Sequence, residues 1–76
     1  MNRRKAERIE ELRCGLVMHS WRRISEIICE EFGDENIELS GNQLHGKWLC
    51  EEAMKFLLGC KDLRQVPDSE RERWDT

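Results

Sequence analysis

Apolar positions in this chain return every three or four residues in three separate stretches, and each stretch carries the punctuation of a helix. The first runs from residue 3 to about residue 17. Ile9, Leu12 and Leu16 make its stripe, Ala6 and Val17 lie beside it, and Asn2 stands in front as a cap. Gly15 costs about 1 kcal/mol relative to Ala inside a helix, so this one is expected to fray or end between Gly15 and Met18. The second stretch follows Ser20, a good cap. Trp21, Ile24, Ile28 and Phe32 step along one face with Ile27 adjoining, and Gly33 ends the run. The third is capped by Ser40 or Asn42 and closes at Gly59. Leu49, Cys50, Ala53, Phe56 and Leu57 share one face of it, with Met54 at the edge.

Between the second and third stretches, Asp34, Glu35 and Asn36 read as a turn. Ile37 and Leu39 alternate with polar residues, but a lone short strand would have no partner, so no sheet is expected. After Gly59 the chain is polar, and Pro67 to Glu70 is a suitable start for a short last helix carrying Trp74. The pattern predicts an all-α fold, a small three-helix orthogonal bundle with a short fourth C-terminal helix as an option. Residues 1–60 form the helical domain, and residues 61–76 a polar tail or that short helix. The expected core is Ile9, Leu12, Leu16, Trp21, Ile24, Ile28, Phe32, Leu49, Ala53 and Leu57.

Composition narrows this picture. A chain of 76 residues allows one domain with a thin core, burying only about 60% of its unfolded surface. Hydrophobic and charged residues each make up 38%, which suits an amphipathic bundle and not a disordered chain. No apolar run approaches the roughly 18 residues of a membrane span. The start, MNRRKAERIEEL, has no apolar segment of the secretory kind, so a cytoplasmic location is expected. The net charge of −3 is uneven: residues 1–25 carry +4, residues 26–52 carry −7, and the remainder balances. A basic patch is therefore compatible with an acidic whole.

Cys14, Cys29, Cys50 and Cys60 show no C-x-x-C pair, and the first three sit inside helical patterns beside apolar residues, as reduced, buried cysteines do. Cys14 with His19 and His45 with Cys50 would be the raw material of a zinc site. Five residues turn a helix through about 500°, however, which leaves each pair about 140° apart. No metal and no cofactor is expected. Gly41 to Lys47 fits G-x-x-x-x-G-K, the phosphate-loop pattern. The next residue is Trp48 where a magnesium-binding Ser or Thr is needed, and no parallel sheet fits the chain. Enzymatic activity and a small-molecule substrate are not expected.

Two binding chemistries remain. The first turn of the third helix gathers Asn42, Gln43, His45 and Lys47. Asn and Gln can pair with adenine, and His and Lys can reach phosphate or guanine. Arg22 and Arg23 open the preceding helix, where they could meet a nucleic-acid backbone. On the same third helix, Leu44, Trp48 and Leu58 fall outside the core face, among Lys47, Glu51 and Lys55. Either that helix is buried on two sides or these residues face a protein partner or a second copy.

A first helix, then SWRRISEII, a turn, and a longer helix with polar residues at its start resembles a helix-turn-helix DNA-binding domain over residues 3–59. The resemblance implies that Trp21 packs inward, that Arg22 and Arg23 face phosphates, and that Asn42, Gln43, His45 and Lys47 read bases. The connection from Gly33 to Ser40 is longer than the usual turn of such domains, and Glu51 and Glu52 add negative charge to the reading helix.

Overall fold

The helix ends are set by short polar side chains and by glycine. In the computed structural model, which describes residues 1–33 and 37–75, α1 spans Arg3–Cys14, α2 Trp21–Phe32, α3 Gln43–Leu58 and α4 Asp68–Asp75. Single 3₁₀ turns occupy Ile37–Leu39 and Leu63–Gln65. No strand occurs among the described residues, and the fold is all-α. The expected turn at Asp34, Glu35 and Asn36 lies outside the described residues.

The first three helices each have an N-cap. Asn2 Oδ1 accepts from Lys5 N–H at 2.8 Å, Ser20 Oγ from Arg23 N–H at 3.2 Å, and Asn42 Oδ1 from Leu44 N–H at 2.8 Å. Between the two caps that sequence allowed for α3, the structure uses Asn42. Gly33 and Gly59 end α2 and α3 in the left-handed region, at φ 58° and 69°.

The core lies where α3 packs against both α1 and α2, with α4 docked on α1. Ala6, Ile9, Leu12, Ile24, Ile28, Leu49, Cys50, Ala53, Met54, Val66 and Trp74 fill it. Trp21, Phe32 and Leu57, expected at its centre, lie half-buried at its margin. The radius of gyration is 11.5 Å, against about 11.4 Å for a compact chain of this length, so the C-terminal segment folds back onto the bundle.

Leu16 is the clearest departure from expectation. It is fully exposed at 107% of its reference area, with Val17 and Met18 exposed beside it. The cause is polar. α1 stops at Cys14, and the chain doubles back so that both the backbone N–H and the Nδ1 of His19 reach Leu12 C=O, each at 3.0 Å. Arg13 fixes the turn from the other side, donating to His19 C=O at 2.9 Å. The Leu12 carbonyl, in the last turn of α1, is satisfied this way, and Leu16 and Val17 are left outside.

The same Arg13 is buried, and among the described residues its hydrogen bonds go to backbone carbonyls. Its Nε donates to Trp74 C=O at 2.6 Å, and its guanidinium lies 4.8 Å from the Trp21 ring. A cation against the carbonyl end of α4 meets the negative pole of that helix. Arg73 adds a bridge to Glu10 at 3.1 Å. These contacts, with the burial of Trp74, hold an eight-residue helix that would not persist alone.

Two consequences follow for solution behaviour. Arg8 forks onto Glu31 with bonds of 3.1 and 2.9 Å, tying α1 to the end of α2. The Arg8 hydrogen bond holds the Glu31 carboxyl below its usual range, ahead of the opposing desolvation. A carboxyl depressed in the folded state contributes stability above its unfolded pKa, and that contribution is lost as pH falls through the folded value. Thermal melts from pH 7 to pH 3 should therefore show a falling midpoint below about pH 4.3, and Glu31→Gln should flatten part of that fall. An unchanged slope in the variant would remove this bridge from the account. Separately, burial pushes the Cys50 thiol up to about 12. At pH 8 only about one molecule in 10⁴ would carry its thiolate, so Cys50 should resist iodoacetamide in the native protein and react in denaturant. Peptide mass spectrometry after a short pulse checks this.

Candidate functional site

The first turns of α2 and α3 lie side by side. A Cβ on Gly46 would stand 1.7 Å from Trp21 C=O, so the helices meet there at a distance only glycine permits. One turn away, Ser25 Oγ lies 2.7 Å from His45 Nδ1 and donates to Leu39 C=O at 3.2 Å. With the hydroxyl proton used on that carbonyl, the imidazole Nδ1–H donates to Oγ. This buried chain ties α3, α2 and the 37–39 turn together. Residues 43–47 are helical, so the G-x-x-x-x-G-K stretch is not a loop, and its second glycine serves packing.

The side chains chosen for nucleic-acid contact are therefore not brought together as a set. His45 is 6% exposed and turned inward, which corrects its expected place on a reading surface. Its position at the border of the core-facing arc lets Ser25 capture it. Asn42 spends its side-chain oxygen on capping. Arg22 and Arg23 are exposed, but Glu26 lies 3.9 and 2.8 Å from them. Gln43 and Lys47 remain exposed one turn apart on α3, and Lys47 Nζ stands 5.4 Å from the Trp21 ring.

Leu44, Trp48 and Leu58 are all exposed, the first two at 77% and 49%. Leu44 and Trp48 join Leu39, Asn42 and His45 around an open groove of about 390 Å³. Leu39 belongs to this apolar face although its alternating sequence context did not single it out. The indole of Trp48 stacks over His45, ring centroids 6.2 Å apart and 15° from parallel, so a buried network supports the exposed ring from beneath. Leu58 lies about 21 Å farther along the helix than Leu44, at 1.5 Å per residue. Glu51 and Lys55 occupy the face between them. Phe56, expected on the core face, is exposed, and Met54 takes the buried place instead.

No three His, Cys, Asp or Glu side chains converge to hold a metal among the described residues. No helix among them is long and apolar enough to cross a membrane. Comparison with protein-family models, with curated proteins and with solved structures finds no match to this chain.

Proposed function

We propose that this protein is a small protein-interaction module whose docking face is the outward side of α3 and the adjoining 37–39 turn. One observation carries the reading: Leu44 and Trp48 are large, exposed and adjacent, on a helix whose opposite side is already committed to the core. Contiguous apolar surface rimmed by charge marks association sites, and a supported Trp is the residue type that anchors them. The test is capture by tagged wild type and by a Leu44→Ala/Trp48→Ala variant from a lysate of the cells that make the protein. A partner held by the wild type and lost by the variant, at an unchanged melting temperature, is expected. Capture indifferent to both substitutions would overturn the reading.

A second reading, nucleic-acid binding of the kind the helix-turn-helix resemblance implies, draws support from Arg22, Gln43 and Lys47. All three are exposed where the first turns of α2 and α3 adjoin. Binding through these cations would weaken steeply with salt, whereas an apolar interface would not. Amide NMR titration with a mixed-sequence duplex, at low and then physiological salt, separates the two. Shifts at Arg22, Gln43 and Lys47 that fade with salt favour DNA, and unmoved spectra at sub-millimolar duplex remove it.

A further inference from the structure

The outward stripe of α3 has an order that a random solvent face lacks. Leu44, Trp48, Glu51, Lys55 and Leu58 follow one another at intervals of four, three, four and three residues. That is the spacing of the seam along which two helices pair. The stripe lies opposite Gly46, Leu49, Cys50 and Ala53, which are buried. Its apolar members are exposed, and Glu51 and Lys55 are half-exposed between them.

From Trp48 to Leu58 the stripe reads ring, acid, base, aliphatic, and it is symmetric in position about residue 53. Two copies of α3 laid antiparallel about that point bring Trp48 against Leu58 of the other copy at both ends. They bring Glu51 against Lys55 of the other copy twice in the middle. A parallel arrangement would instead oppose Glu51 to Glu51 and Lys55 to Lys55. We infer that the docking face of α3 takes a second copy of this chain, in an antiparallel pair held by Trp48–Leu58 contacts and Glu51–Lys55 ion pairs.

This inference rests on the docking-face reading and names its occupant. Charge complementarity selects the occupant, because the stripe satisfies itself in only one of the two orientations. The groove beside Leu39, Leu44 and Trp48 gives the incoming Leu58 an apolar seat. Lys55 already bonds Glu52 of its own chain at 2.8 Å, and an ammonium has three donors, so it can serve both acids. A self-facing patch of this kind closes as a two-fold dimer and does not propagate into a fibre. One helix face is a small contact, so the dimer is weak and concentration-dependent.

Sedimentation velocity over a wide concentration range tests the pairing. Wild type should pass from monomer to dimer. Glu51→Lys and Lys55→Glu each set like charges opposite each other twice, and each should weaken the dimer by at least about tenfold. The equimolar mixture of these two variants, and the double variant E51K/K55E, restore both ion pairs and should recover association. Recovery in the mixture to no more than the wild-type level supports the antiparallel register, since a parallel pair would bind more tightly in the mixture than wild type does. Wild type that stays monomeric at high concentration, or single variants that dimerise as wild type does, overturn the inference. If wild type is monomeric while Leu44 and Trp48 still govern capture of another protein, self-pairing falls and the docking face stands. If neither is seen, both fall.

Discussion

Trp74→Ala should cost the protein a large share of its stability. Trp74 is the largest fully buried side chain, at 1% exposure, and truncating such a residue costs about 3–5 kcal/mol. The whole stability of a domain this size is about 4–11 kcal/mol, at 0.05–0.15 kcal/mol per residue. The loss does not stop at the cavity. α4 is eight residues long and has few means of staying helical once its anchor is gone. Its departure would strip Arg13 of the Trp74 carbonyl and leave a buried cation with one fewer acceptor. Urea denaturation followed by circular dichroism gives the number, with Trp74→Phe as a milder control. A loss under about 1 kcal/mol would mean that α4 contributes little to the core in solution.

Gly46→Ala should destabilise, against the usual rule. In an ordinary helix interior this change gains about 1 kcal/mol. Here the new methyl would stand 1.7 Å from the carbonyl oxygen of Trp21 and 2.4 Å from its carbon. Both are backbone atoms at the first turn of α2, so no side chain can swing aside. The helices would have to part by more than an ångström, loosening Leu49 and Ala53 and stretching the Ser25–His45 hydrogen bond. A net loss of at least about 2 kcal/mol is expected, and Gly46→Val should be worse. Equilibrium unfolding of the two variants checks the order. A stabilised alanine variant would show that α2 and α3 do not approach this closely.

Local chemistry made much of this fold legible in the sequence. Asn2, Ser20, Gly33 and Gly59 act through neighbours within a few residues, and each sits at the helix end its sequence position implies. The apolar spacing of α2 likewise placed Ile24 and Ile28 in the core. The misses share a different cause. Nothing near Arg13 separates it from the other arginines; its acceptors are carbonyls six and 61 positions away. Leu16 continues the stripe of α1 and is lost to solvent because His19 folds back onto Leu12. His45 looked available because its sequence neighbours are polar, while the hydroxyl that captures it lies 20 residues earlier. Of the candidate site, the exposure of Leu44, Trp48 and Leu58 was legible as apolar residues off the core face. The contribution of Leu39 was not, since it depends on how the 37–39 turn lies against α3.

The Arg13–Trp74 bond also sets an order of events. It joins residues 61 positions apart, and closing so long a loop is entropically unfavourable until α1, α2 and α3 have already met. α4 is therefore expected to dock late in folding and to detach early from the native state. Its amides should exchange with solvent through an opening cheaper than global unfolding. Cys14 lies under that helix, with Sγ 3.8 Å from Arg73 C=O. Cys14 is half-buried there, so variants that weaken the latch should raise its alkylation rate in native buffer above that of the wild type.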